Sequence, residues 1–183
     1  MKTKPVLLTD DETLHETAQN PEELFRYIEA LKIEILAASD PPKKVRLLGE
    51  TGVYLRSAGR LDEAEIFLLQ ALALIETHNL GLKIETQQKI RLAHVYQWQK
   101  NFFGSDELFE QVLNTCRQQA EAETYLHFAL QHAGKNFFDQ QQYKKALVFF
   151  EEALKLRNER VCPVDQIEST EKALRAVLRK LKS

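Results

Sequence analysis

A single interval governs this chain: small and large residues recur in step every 41 positions, three times over. The clearest copy lies in Ala133 to Arg157, AGKNFFDQQQYKKALVFFEEALKLR. Ala133, Gly134 and Phe137 share one helical face. Ala146, Phe149, Phe150, Ala153 and Leu154 share another, at spacings of three and four residues. With Gly134 as position 8 of a repeat and Ala146 as position 20, Phe150, Ala153 and Leu154 fall at 24, 27 and 28. One interval earlier the same five places hold Ala93, Ser105, Phe109, Val112 and Leu113; two intervals earlier they hold Gly52, Ala64, Leu68, Ala71 and Leu72. Every copy reads small, small, large, small to medium, large. Position 11 is bulky throughout, as Leu55, Tyr96 and Phe137. Such a register predicts paired helices that cross closely at the small residues and are flanked by the large ones.

The pattern resembles the tetratricopeptide repeat, a helix–turn–helix with small and large residues at fixed offsets. The usual period is about 34 residues, and an excess of roughly seven is nearly two helical turns. One added turn on each helix keeps the apolar faces in phase. In this the chain is most similar to the long repeats of kinesin light chains, among which RLAHVYQWQKNFFGSDELFEQVL would sit comfortably. The likeness covers about Val45 to Asn158. It departs at Ser105, where Ala is usual, at Lys100, where the first copy has the turn glycine Gly59, and at position 32, which is never Pro. The resemblance implies an all-α fold, a right-handed α-solenoid of three repeats with a capping helix at each end. Eight helices and no strand are expected.

Local signals set the boundaries. Asn20-Pro21-Glu22-Glu23 starts a helix with an Asn cap, Pro in the first turn and acids against the dipole. It runs over 21–38 with Leu24, Ile28, Leu31, Ile35 and Leu36 facing inward, and Asp40-Pro41-Pro42 stops it. The repeats are expected over 42–78, 82–118 and 121–158, as helices 42–58 and 61–77, 82–100 and 104–118, 121–139 and 142–158. Cys162-Pro163 breaks the pattern before a last helix over 164–182, with Ile167, Leu174, Val177, Leu178 and Leu181 inside. An open end of a repeat stack needs a helix with one polar face, which 21–38 and 164–182 supply. Residues 1–20 read as an acidic arm ahead of one superhelical domain over 21–183, with no disordered tail beyond the first dozen residues.

Composition narrows the function classes. The formal net charge of −2 announces no nucleic-acid binder, yet it is unevenly spread. Residues 1–41 hold four Lys/Arg and nine Asp/Glu, whereas 42–183 hold twenty-one and eighteen. Lys172, Arg175, Arg179, Lys180 and Lys182 make the last helix basic. Such a cluster could meet phosphates, but a solvated face with favourable charge at a helix end is the plainer reading. The apolar run Val6-Leu7-Leu8 is too short for a signal peptide, and no later run approaches a membrane span. A cytoplasmic protein is expected. Cys116 and Cys162 carry no metal or redox spacing, and Cys116 falls on an apolar helix face as a packing thiol. The five histidines lack the i, i+4 spacing of a shared metal, and no phosphate loop or nucleophile elbow appears. No catalytic residue, metal or cofactor is expected.

What a superhelical stack offers is a concave surface lined by the first helix of each pair. In the family that this chain resembles, positions 2, 5, 6, 9, 12 and 13 face the groove. Carried over, the first copy supplies Arg46, Gly49, Glu50, Val53, Arg56 and Ser57; the second, Gln87, Ile90, Arg91, His94, Gln97 and Trp98; the third, Phe128, Gln131, His132, Lys135, Phe138 and Asp139. The groove so drawn is cationic through Arg46, Arg56, Arg91 and Lys135, with His94 and His132 able to add charge in mild acid. Gln87, Gln97 and Gln131 suit a peptide backbone, and Trp98, Phe128 and Phe138 either anchor an apolar side chain or pack between repeats. Relatives that clamp chaperone tails need Lys and Asn where this chain has Gly49 and Val53, and Asn, Lys and Arg where it has Arg91, Phe128 and His132. That clamp is absent. The expected role is a non-catalytic adaptor for a protein or peptide segment bearing acidic groups. The alternatives are a chaperone for one client, a regulator meeting nucleic acid through the basic last helix, and self-pairing through an apolar strip on an end helix.

Overall fold

The computed structural model describes residues 3–182, so the first two residues of the acidic arm and the last of the superhelical domain lie outside it. Its eight α-helices are α1 (Pro21–Ala37), α2 (Pro41–Ser57), α3 (Leu61–His78), α4 (Leu82–Trp98), α5 (Phe102–Gln118), α6 (Leu126–Asp139), α7 (Tyr143–Glu159) and α8 (Val164–Lys182). They form a right-handed α-solenoid: α2–α3, α4–α5 and α6–α7 are the three repeats, and α1 and α8 pack on the ends. The chemistry of each boundary is visible. Asn20 Oδ1 accepts from the backbone N–H of Glu22 (3.0 Å) and Glu23 (3.2 Å), and Asp40 Oδ2 accepts from that of Lys43 (2.8 Å). Pro21 and Pro41 sit in first turns, where a missing N–H leaves no bond unmade. A 3₁₀ turn, Glu123–Tyr125, precedes α6, which therefore begins later than 121.

Within each repeat the two helices turn identically. Gly59, Lys100 and Gln141, one interval apart, all adopt left-handed backbone, with φ of 74°, 60° and 61°. The N–H before each second helix reaches back across the turn: Arg60 to the Leu55 carbonyl, Asn101 to Tyr96 and Gln142 to Phe137, each at 2.9 Å. This closure needs a left-handed residue, which glycine adopts without a Cβ penalty. Lys100 and Gln141 adopt it at a cost, so the glycine missing from those copies reflects a residue change, not a different turn.

The core follows the repeat register. A Cβ on Gly52 would lie 2.7 Å from Leu68 Cγ, and one on Gly134 2.6 Å from Phe150 Cε1. Position 8 is thus the floor on which position 24 rests. Ala64, Leu68 and Ala71 belong to a first buried cluster with α1 and α2, Ala93, Phe109 and Val112 to a second, and Ala146 and Phe150 to a third. Ser105 is fully buried, and its Oγ donates to Asn136 Oδ1 of the next repeat at 2.7 Å. Burial raises the thiol pKa of the packed Cys116 to about 11.

Three expectations are corrected. Leu36 is 86% exposed, whereas Leu24, Ile28, Leu31 and Ile35 are buried as expected and Tyr27 joins them. On α8, Leu178 and Leu181 are exposed, and contact runs instead through Thr170, Ala173, Ala176 and Val177. Small residues let α8 lie closely on α7, which turns the leucines outward. Finally, the chain does contain strand. β1 (Leu7–Thr9) pairs antiparallel with β2 (Glu16–Ala18), Leu8 opposite Thr17. Asp10 nucleates the connection: its Oδ1 accepts from the N–H of Glu12 (3.0 Å) and Thr13 (2.7 Å) and from Thr13 Oγ1 (2.9 Å).

Substituting Lys100→Gly or Gln141→Gly is expected to stabilise the fold by about 0.5–1 kcal/mol, because the left-handed penalty outweighs the added backbone entropy. Urea unfolding followed by circular dichroism measures it. Gly59→Ala should shift the midpoint the opposite way.

Candidate binding groove

The helices α2, α4 and α6 pack side by side, and the amino-terminal hairpin is bound across them. Its hold is electrostatic at the centre. Arg56 Nη2 of α2 donates to Glu16 Oε2 at 2.7 Å, and Lys135 Nζ of α6 donates to Glu16 Oε1 at 2.8 Å. One carboxylate therefore ties the first repeat to the third. Both cations are almost wholly buried, which is tolerable only for charges that are paired. Burial by itself would raise the Glu16 pKa; Lys135 and Arg56 overcome it and hold the carboxyl well below the usual range.

Around that pair the ring systems interlock. Arg56 Nη1 donates to His94 Nε2 at 2.7 Å, so His94 is neutral and carries its proton on Nδ1. The His94 and His132 rings lie 4.4 Å apart. Trp98 stacks on His15 at 4.2 Å and takes the Arg56 guanidinium 4.7 Å from its ring centre. Asp139 Oδ2 accepts from Gln97 Nε2 at 2.8 Å and lies 2.9 Å from His15 Nε2. Burial, then the charge of Arg56, lowers the His94 pKa far below its ordinary value. Burial, then Lys135, brings His132 down to about 3. These histidines add no positive charge in mild acid, which corrects the sequence expectation: a buried imidazole beside two cations stays neutral.

The hairpin is anchored at its tip as well. Leu14 is buried in the cluster that contains Phe138, Phe150, Ala173 and Val177. Lys172 Nζ donates to the Thr9 carbonyl (2.6 Å) and also pairs with Asp11. Arg179 Nη2 donates to the Asp11 carbonyl (2.8 Å), and Lys180 Nζ lies 3.2 Å from Glu12. The basic last helix is thus engaged by the acidic arm rather than left as a solvated face.

The carried-over residues separate accordingly. Arg56, His94, Gln97, His132 and Lys135 converge under the hairpin. Gln87, Arg91 and Phe128 join Glu16, Val53, Arg56, Ile90, Tyr125 and the two histidines around a cavity of about 270 Å³ beside it. Gln131 is buried, and its amide meets no hydrogen-bonding group among the described residues. Arg46 stands apart, exposed and 3.6 Å from Glu50. Of the three carried-over aromatics, Trp98 lies against the hairpin, Phe138 is core against Tyr143, and Phe128 flanks the cavity. Sequence reasoning missed Leu14, His15 and Glu16. The signal was present in the opposed charges of residues 1–41 and 42–183 and in the turn-forming Thr9-Asp10-Asp11-Glu12-Thr13. Among the described residues no group of three His, Cys, Asp or Glu side chains could hold a metal ion, and no helix is long and apolar enough to cross a membrane.

Comparison with known proteins agrees with this architecture. The family model of the tetratricopeptide repeat matches residues 48–79 and 89–118. The solved structure of BtubC (BKLC) from P. vanneervenii is similar with a TM-score of 0.67 at 16% identity, over 87% of this chain and 67% of that one. A putative kinesin light chain from Podosopora anserina with nearly identical TPR-like repeats is similar with a TM-score of 0.61 at 15% identity, over 88% and 80%. At such identities the likeness is one of fold. No curated protein sequence matches.

Two outcomes follow from the buried charges. Glu16→Gln leaves Arg56 and Lys135 facing a neutral amide and is expected to destabilise the protein by about 3 kcal/mol, read from urea midpoints. Stability should also fall with acid. The unfolded chain takes up protons on His94 and His132 below about 6.5 while the folded state does not, so their contribution is full above that pH and is lost as the pH drops towards the folded values. Glu16, depressed in the fold, acts with the same sign from about 4.5 downwards. The expected slope is roughly 1.4 kcal/mol per pH unit for each histidine, and His132→Gln should reduce it.

Proposed function

We propose that this chain, built of long tetratricopeptide-like repeats, serves as a non-catalytic scaffold that takes a segment of another protein on its concave face. Repeats of this class commonly present such a face to a partner. One observation carries the reading. The groove cations Arg46, Arg56 and Lys135 each meet a carboxylate of the chain itself. Arg91 forms no such ion pair among the described residues: its Nη1 donates to Gln88 Oε1 at 3.0 Å, and the charge of Glu50 acts on it only from beyond ion-pair distance. Burial lowers its pKa from the ordinary value, yet arginine remains charged at neutral pH. A charged guanidinium on the wall of an open cavity is a fitting partner for an acidic group.

On this reading the groove divides its labour. Gln87, Arg91 and Phe128, with Val53 and Tyr125 beside them, are the contact surface. Arg56, His94, Gln97, His132 and Lys135 seat the hairpin that forms the neighbouring wall, with Gln131 packed on the same helix as Lys135. The setting proposed is the cytoplasm, where the uncrosslinked Cys116 and Cys162 are at home.

The test is quantitative affinity capture from native cytosol with the wild-type chain, an Arg91→Glu/Gln87→Glu variant and a Glu110→Lys control on the exposed side of α5. Capture is expected to fall at least about tenfold in the groove variant and to stay level in the control, at matched helicity. Equal capture by all three removes the groove from consideration.

A further inference from the structure

We infer that the cavity beside the hairpin binds a small organic monocarboxylate with a compact apolar body, its carboxylate held by Arg91. This refines the groove reading above and rests on it for the accessibility of Arg91.

Two guanidinium groups line the cavity: Arg56 is paired with Glu16, and Arg91 meets no carboxylate at ion-pair distance among the described residues. Gly49 lies inside α2, where glycine is less favourable than alanine, and its backbone requires no special conformation. A Cβ at that position would collide with Gln88 Oε1 and Arg91 Nη1. The missing side chain therefore makes room for the Gln88 carbonyl to accept from Arg91 and fix the guanidinium. A guanidinium fixed in this way presents a planar fork that matches a carboxylate. Glu16 lines the same cavity, and its two oxygens are already taken by Lys135 and Arg56, so it adds negative charge without offering a further site. With Arg56 paired to Glu16, and with the charge of Glu50 also acting on Arg91, the lining keeps one cation in excess, which suits a single negative charge and disfavours a dianion or a phosphate.

The rest of the lining fixes the body of the ligand. Val53, Ile90 and Phe128 are apolar, and Tyr125 adds a ring. His132 lies on the same lining, and its Nδ1 is buried with no partner among the described residues. A buried polar atom of this kind asks for a hydrogen-bonding group. At about 270 Å³ the cavity falls below the ~300–1,000 Å³ of sites for drug-sized ligands. It matches the volume of roughly nine waters at ~30 Å³ each, enough for one carboxylate and a short branched or ringed chain.

Calorimetric titration of the full chain at neutral pH tests this, with 4-methylpentanoate and 3-phenylpropanoate as probes and their primary amides and inorganic phosphate as controls. Both carboxylates are expected to bind and to raise the melting temperature, and the amides and phosphate to do neither. Arg91→Gln should weaken binding at least about tenfold, and Gly49→Ala should do the same by displacing the fork. Where Gly49→Ala fails to fold, Arg91→Lys replaces it, expected to weaken binding because the charge remains and the fork is lost. The assignment is overturned by amides that bind as well as acids, by unchanged affinity in Arg91→Gln, or by no binding of either acid up to about 20 mM. Binding of acetyl-glutamate amide without binding of the free acids gives the site to a docked segment and overturns it too. Protein capture that persists while both acids are ignored overturns this inference and leaves the scaffold standing. Acid binding lost in Arg91→Gln, with capture indifferent to Arg91→Glu, upholds it and removes the segment from the cavity.

Discussion

The close approach of two helices over a residue with little or no side chain is the constraint from which this architecture follows. Where position 8 is Gly52 or Gly134, a Leu68 or Phe150 side chain occupies the space that a Cβ would take. That contact sets the distance between paired helices, and the left-handed turn at Gly59, Lys100 and Gln141 sets their direction. Because both recur at one interval, each repeat is laid down in the same orientation as the last, and a hollow on one side results. Everything electrostatic in the groove depends on this. Arg56, His94 and Lys135 lie far apart in sequence and come within bonding reach of one ion-pair network only because three equivalent helices stand in register.

The hollow is not left empty by its own chain. A carboxylate from the amino-terminal hairpin neutralises two buried cations, and the hairpin tip is held by the basic last helix. Burying Arg56 and Lys135 without Glu16 would carry a desolvation penalty that packing alone does not offset. The hairpin therefore belongs to the folded unit energetically, and what it leaves uncovered is narrow, one-sided in charge and walled by apolar side chains. The proposals for the groove and its cavity both follow from that asymmetry between satisfied cations and Arg91.

Much of the fold was legible in the residues. Helix limits came from Asn20-Pro21, Asp40-Pro41 and the Gly59 turn, whose chemistry is local and needs no knowledge of neighbours. Helix faces were legible where apolar residues formed one stripe, as at Leu24, Ile28 and Leu31. They were misread where packing uses small residues, as at Ala173 and Ala176, because alanine carries little periodic signal beside Leu178 and Leu181. The strands escaped because three-residue strands have no period to detect, and their stability comes from Leu14 and Glu16 meeting partners 40 or more residues away. The groove positions carried over from the family fall on α2, α4 and α6, but the state of each residue depended on a segment that the family pattern does not contain.

The hairpin also changes how the molecule should hold together as a whole. A linear array of repeats touches only its neighbours and so can come apart piece by piece. Here Glu16 reaches Lys135, and Thr9 and Asp11 reach Lys172 and Arg179, across separations of 119 to 168 residues. Those links act as a clasp between the two ends of the coil. Loss of either terminal helix is thereby coupled to loss of the other, so the array should melt as one piece, and its assembly must wait for the slow meeting of distant segments.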